Sequence, residues 1–367
     1  MRKYVLLLLK QQKIFFDFLR FCIGSAKEIP DSLKEADWKE LYAIAKKQCL
    51  VGVLFDGIKK LPAEHVGMEK ELLLHWMAES QMLEKANVWQ NDAAIQVSEW
   101  FRKKGFRTCI LKGQGNALLY PNGLHRTPGD IDIWVEGGDK RVISFVRSIS
   151  PHEKACYHHI DFPSYKGVEV EVHYRPSFLL CFWHDRKLQK YYERVKEEQF
   201  SHRVMLGEQG EIAIPTVEFN LIFQLTHIYA HLMNEGIWLR QLLDYYYVLI
   251  SDDLLLIRDR VQKELKKLGL WKFAGAIMYI MQEVFGMSAS RLIVPPNEKH
   301  GRFVLNEVLE AGNFGKHDER NRFGKSKLGH NLQRVYRDIR LVRYFPAEAL
   351  CEPLFRTWHF FWRLRHK

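Results

Sequence analysis

The stretch Gly129-Asp130-Ile131-Asp132-Ile133-Trp134-Val135 sets two carboxylates two residues apart inside an apolar, β-branched run. A strand alternates its faces, so Asp130 and Asp132 point one way while Ile131 and Ile133 point the other. Like charges side by side on one strand face repel unless a cation sits between them. Mg²⁺ suits that arrangement, because it is a hard ion that takes oxygen ligands and shares them with substrate phosphates. Two strand-end aspartates facing water fit the same pattern, and the pair alone leaves both readings open.

The segment Val168-Glu169-Val170-Glu171-Val172-His173-Tyr174 alternates in the same way. Glu169, Glu171 and His173 share one face and the three valines the other. Laid beside the Asp130 strand, it brings Glu171 to the pair as a third carboxylate. Such a cluster can hold two divalent ions about 4 Å apart, the arrangement that clamps both oxygens of an in-line displacement at phosphorus. Mg²⁺ is the expected ion, with Mn²⁺ as a substitute. The alternative for Glu171 is an exposed place on a two-faced hairpin. His173 reads as a supporting hydrogen-bond donor on the nucleotide-binding side of the site rather than as a base.

Upstream, Leu111-Lys112-Gly113 ends a short apolar strand ahead of a helical turn, Asn116 to Tyr120, which Pro121 stops. Gly113 lets backbone N–H groups approach an anion, and a helix start favours negative charge. Lys112 and Arg126 are the candidate cations for a triphosphate. The chain has no GxxxxGK[ST], so it is not a P-loop enzyme.

Together these pieces resemble the DNA polymerase β-like nucleotidyltransferase superfamily, closest to its branch of uncharacterised bacterial nucleotidyltransferases. The resemblance rests on Leu111-Lys112-Gly113, Tyr120-Pro121, Arg126, Gly129-Asp130-Ile131-Asp132 and Val170-Glu171-Val172-His173. It continues through His227, Leu239-Arg240 and Asp244, and through the Trp38 to Leu54 segment. It implies an α+β fold, with a small mixed-sheet nucleotidyltransferase core flanked by N-terminal and C-terminal helical regions. It also implies Mg²⁺-dependent transfer of a nucleoside monophosphate from an NTP such as ATP to a hydroxyl acceptor. Asp130, Asp132 and Glu171 would be the metal ligands and catalytic carboxylates. Many members carry Gly-Ser where this chain has Lys112-Gly113-Gln114. Gln114 and the Gly-x-Gly of residues 113–115 would then serve the nucleotide in place of that serine. The acceptor is a small molecule, an RNA or a protein. A catalytically weak or inactive form of the fold, binding RNA or protein, is the alternative.

The rest of the chain sets bounds. At 367 residues it is too long for one small core. The composition divides it into an N-terminal helical region (1–90), an α/β core (91–205), a helical domain (206–300) and a C-terminal extension (301–367). Asp37 is a candidate helix cap, Asp139 another, with Val142, Val146 and Ile149 on one face of the helix it would start. Beyond Pro176 the pattern is mostly helical. His227 and His231 share a helix face without a third ligand, and Arg240 and Asp244 are spaced to pair with each other. His158 and His159 read as ordinary strand residues, and Trp238 and Tyr245 as core.

The net charge of +11 points to an anionic partner. From Arg320 onward twelve Lys or Arg stand against three acids, interleaved with aromatics such as Trp358, Phe360 and Phe361. That extension can meet RNA through phosphate contacts and base stacking. An amphipathic helix with buried aromatics is the other reading. Six scattered cysteines with no CxxC fit free thiols in a reducing cytosol, so a cytoplasmic location is expected. The apolar start, residues 4–9, is broken by Lys10 and Lys13 and is too short for a signal peptide, and no stretch suits a membrane span.

Overall fold

The computed structural model describes residues 2–65, 67–208, 210–234, 236–311 and 327–366. Four strands form the central mixed sheet: β1 (Thr108–Ile110), β2 (Ile131–Val135), β3 (His159–Tyr165) and β4 (Val168–His173). Their order is β1-β2-β4-β3. β2 runs antiparallel to β1 and parallel to β4, while β3 and β4 form a hairpin. Lys166 and Gly167 turn that hairpin with φ of 53° and 81°. Two successive positive values are what a tight two-residue turn between twisted strands requires.

All five residues of β2 are buried. Ile131, Ile133 and Val135 join Ile160, Val170 and Val172 in one apolar cluster. Two helices supply the rest of it, α4 (Lys70–Lys103) with Val97 and Phe101, and α6 (Gly138–Ile149) with Val142 and Val146. On the other face Trp134 lies 4.6 Å from Phe200 of α7 (Phe182–Ser201) and 5.8 Å from Phe219 of α8 (Val217–Asn234), centroid to centroid. Asp132 shares the face of Trp134, so the acidic side of the sheet is roofed by helices.

Helices α1 (Arg2–Ile23), α2 (Trp38–Lys47) and α3 (Val51–Ile58) precede α4. Asp37 caps α2 as expected, accepting from the backbone N–H groups of Lys39 and Glu40. The 34-residue α4 runs without a break through position 90. Its first half inserts Trp76, whose indole N–H donates to the Val51 carbonyl at 2.8 Å. Its second half lies under the sheet.

A turn of four residues, α5 (Gln114–Ala117), follows β1. After α7 comes a small hairpin, β5 (Arg203–Leu206) with β6 (Gly210–Ala213), where a mostly helical stretch was expected. Runs of four residues are too short for periodicity to reveal them. Helices α9 (Leu239–Leu249), α10 (Leu254–Lys267), α11 (Trp271–Glu283), α12 (Glu298–Ala311), α13 (Lys327–Val342) and α14 (Pro346–Arg365) complete the chain.

Two local expectations change. Gly137, not Asp139, occupies the cap position of α6, with φ 134°. Asp139 sits in the first turn and pairs with Arg175 at 2.9 Å. Ile149 ends α6 exposed, and Ile143 takes its place in the core. Among the described residues, no helix is long and apolar enough to cross a membrane.

Candidate active site

The parallel register of β2 and β4 sets Asp132 opposite Glu171 and Trp134 opposite His173. Asp130 enters β2 from the preceding loop. Carboxylate oxygens of Asp130, Asp132 and Glu171 lie within 4.8 Å of one another. Asp132 is buried. Its Oδ1 accepts from Lys112 Nζ at 3.0 Å and from His173 Nε2 at 3.0 Å. Its Oδ2 is buried and meets no protein donor. An unpartnered buried carboxylate oxygen is costly. Three convergent carboxylates with one such oxygen form a donor set that fits a hard divalent cation.

The surrounding charges keep the cluster ionised. Burial opposes the charge on Asp132, but Lys112 and then His173 hold its carboxyl below the usual range. Burial likewise opposes the charge on Glu171. Bonding from His173, with His159 beside it, brings that carboxyl down to about 2. His173 is pushed up against its own burial by Asp132 and Glu171. Lys112 is held protonated against burial by Asp132, Asp130 and Glu171. On its other side Lys112 Nζ lies 3.2 Å from His227 Nε2. Burial, with Lys112 next, keeps His227 neutral. Lys112 is thus the cation that bridges the sheet and α8.

The loop before Asp130 is pinned by side chains of α4. Asn87 Nδ2 donates to the carbonyls of Leu124 and Arg126, both at 2.8 Å, and Gln90 Nε2 donates to that of Gly129. His125 of this loop is buried, with Nδ1 2.8 Å from Asp56 and Nε2 2.7 Å from Glu84. These bonds fix the backbone from which Asp130 projects.

The partner of Asp244 is Arg126, not the Arg240 that helical spacing offers. Asp244 pairs with Arg126, at 2.8 and 2.7 Å, and Tyr120 donates to it at 2.6 Å. The helical spacing of Arg240 and Asp244 does not produce an ion pair, because the guanidinium of Arg126 already fills both carboxylate oxygens. Arg240 instead donates to the Thr127 carbonyl at 2.7 Å, and its Nε is buried without a partner. Both arginines line a cleft of about 450 Å³, open solvent included, with Lys112, Gly113, Asp130 and Asp132 on one side and Phe223, Gln224, His227 and Gln241 on the other. Asp130 and Asp132 therefore open onto a cleft that Lys112 and Arg240 also line and that α8 and α9 close.

Gly113 lines this cleft with φ 63°. The four-residue α5 is too short to supply a sizeable dipole. Gly115 faces away, against Ile214, where a Cβ would stand 3.0 Å from Cγ2. Gln114 is buried off the cleft wall, with neither amide atom partnered. His159 is the neighbour that sequence reasoning missed. The β3–β4 register sets it opposite His173, and its Nδ1 lies 3.5 Å from Glu171. His231 lies 3.0 Å from His227, so these two histidines continue the Lys112 contact.

The profile of a family described as uncharacterised nucleotidyltransferase matches residues 34–286, more than half of the chain. The protein belongs to that family. No curated protein matches it. The crystal structure of an antigenic nucleotidyltransferase-like protein from Paracoccidioides brasiliensis is similar over 52% of this chain and 94% of its own, at 15% identity and a TM-score of 0.27.

Proposed function

We propose that this protein transfers a nucleoside monophosphate from an NTP to a hydroxyl acceptor, with Mg²⁺ held by Asp130, Asp132 and Glu171. The observation that carries the reading is the convergence of those three carboxylates, one of which, Asp132, keeps a buried Oδ2 without a donor. Bound divalent ions would supply acidity to the attacking hydroxyl and neutralise charge on the departing pyrophosphate.

The chain's own residues do the rest. Lys112 and Arg240 face the cleft as donors for phosphate oxygens. Arg126 supports the site by tying the Asp130 loop to α9, and its charge is spent on Asp244. His173 bonds Oδ1 of Asp132, fixing its rotamer, and leaves Oδ2 without a protein donor. The proton of the acceptor passes to a carboxylate oxygen of the cluster that a metal leaves free.

Replacing Asp130 and Asp132 together by Asn tests this. The variant should keep the fold and lose Mg²⁺-dependent binding of a fluorescent NTP. Unchanged affinity would overturn the proposal. Incubating cell extract with the protein, Mg²⁺ and each labelled NTP, followed by mass spectrometry, identifies the acceptor.

A second reading, an RNA-binding module on this fold, is favoured by one observation. Phe360 and Phe361 of α14 are 51% and 57% exposed, beside exposed Arg363 and Arg365. Phe355 is buried, so the helix is only partly the buried-aromatic type.

A further inference from the structure

The start of α7 holds a second knot of ligand-type side chains. Cys181 occupies its cap position and His184 follows three residues later. Glu348 and Cys351 repeat that spacing in the first turns of α14. The ligand atoms of Cys181, His184 and Glu348 lie within 4.8 Å of one another. The Cys351 thiol, half-buried in the first turns of α14, interacts with that of Cys181. Three donors from two helices therefore meet at one point, and Cys351 brings a second thiol next to them.

Glu348 and His184 are already aimed. Glu348 is buried, and its Oε2 accepts from the backbone N–H groups of Leu180 at 2.6 Å and Cys181 at 3.2 Å. That capping uses one oxygen. The other, Oε1, lies 3.4 Å from Nδ1 of His184. The His184 ring is seated against Gly269, where a Cβ would come within 2.4 Å of Cε1. The glycine leaves the ring room, and its Nδ1 edge faces Glu348.

Capping a helix explains Oε2 of Glu348 and requires neither two thiols nor an imidazole. Two sulfurs, one nitrogen and one oxygen form a donor set for Zn²⁺ rather than for Mg²⁺ or Ca²⁺. Donors about 2.0–2.3 Å from a tetrahedral ion stand roughly 3.3–3.8 Å apart. The His184–Glu348 separation already has that value.

We propose that Cys181, His184, Glu348 and Cys351 form a closed four-ligand Zn²⁺ site that clamps α14 to the start of α7. The site is independent of the transferase reading. Four protein ligands leave no open position for substrate, so its role is structural. Binding displaces the two thiol protons to solvent and joins both sulfurs to the metal as thiolates.

The test uses the full chain, purified under reducing conditions, stripped with a chelator and titrated with Zn²⁺ and with Co²⁺. The expected result is one Zn²⁺ per chain and a Co²⁺ spectrum carrying thiolate charge-transfer and tetrahedral ligand-field bands. Cys351→Ser and His184→Gln should each weaken Zn²⁺ binding at least tenfold, with the Cys351→Ser spectrum losing charge-transfer intensity. Their circular dichroism should stay that of the parent. Asp130→Asn/Asp132→Asn should bind Zn²⁺ at this site as the parent does. Absence of the thiolate bands in the parent overturns the proposal. So does parental Zn²⁺ affinity in both single variants, or a Cys181–Cys351 disulfide in the reduced preparation.

Discussion

Arg126 and Asp244 stand 118 residues apart and meet in a two-pronged buried ion pair, Nε on Oδ1 and Nη2 on Oδ2. The pair ties the loop that delivers Asp130 to the helix that closes the cleft. Burial opposes both charges, and each partner offsets that cost for the other. Asp244→Asn should therefore destabilise the protein by about 3–5 kcal/mol, since it leaves a buried guanidinium without its counter-charge. Chemical denaturation measures it. A loss under about 1 kcal/mol would show that water reaches the pair. Arg126→Met with Asp244→Leu should recover most of the loss, because neither partner then remains charged.

Lys112 supplies a sharper test of the site's electrostatics. It shares Asp132 Oδ1 with His173 and faces the cleft. Removing its charge makes the cluster more negative and the cleft less positive. Lys112→Met should bind Mn²⁺ at least as well as the parent while losing roughly tenfold or more in NTP affinity, the scale of one charge-assisted hydrogen bond. Titration of each ligand separately checks it. Equal losses for both ligands would mean that the lysine merely holds the local fold.

The clustering of the carboxylates was legible in the sequence because strand alternation is a short-range rule. Valines and isoleucines mark one face of Asp130–Val135 and Val168–His173, so the acids must share the other. Adjacency of the two strands then followed from resemblance and is met by the Asp132–Glu171 register. Long-range pairing was not legible. The i, i+4 rule offers Arg240 to Asp244, but the tertiary fold brings Arg126 with better fork geometry. His159 reaches Glu171 only through the hairpin register, which a turn at Lys166-Gly167 sets. The four-residue strands of the β5–β6 hairpin left no periodic signal at all.

Gly52 presses on the same loop from α3. A Cβ there would stand 2.3 Å from the His125 carbonyl oxygen and 2.9 Å from its Cβ. Backbone cannot yield as a flexible side chain does. Gly52→Ala should therefore cost about 1–3 kcal/mol despite the gain in helix propensity. Because the displaced loop carries Asp130, NTP affinity should fall with it. Thermal unfolding and nucleotide titration check both halves. A stabilised variant would refute the close packing.

His125 makes the stability of this loop depend on pH. Burial lowers its pKa, but bonds to Asp56 and Glu84 outweigh that and raise it above the ordinary 6.5. A neutral imidazole has one N–H, whereas both of its nitrogens face carboxylates. A folded pKa above the unfolded one means that the native state binds the extra proton. The stabilisation is complete below about pH 6.5 and disappears as pH rises through the folded pKa. Relative to His125→Gln, the parent should gain its largest margin in Tm near pH 6 and lose margin toward pH 9. A constant margin would place no protonated histidine there.

The exposed end of α14 bears on whether the protein also holds RNA. Phe360, Phe361, Arg363 and Arg365 are all exposed, and solvent-facing rings among cations can stack on bases while the cations neutralise phosphates. Phe360→Ser/Phe361→Ser removes the rings without touching the buried Phe355. Stacking contributes about 1–3 kcal/mol per base, so the double variant should weaken binding of a single-stranded RNA at least tenfold. Fluorescence anisotropy should show parental affinity falling steeply between about 50 and 200 mM salt. Asp130→Asn/Asp132→Asn should bind the RNA as the parent does, since the rings lie on a different element from the carboxylates. Equal affinity of parent and phenylalanine variant would remove α14 from any RNA contact and leave its apolar face to be explained by a protein partner.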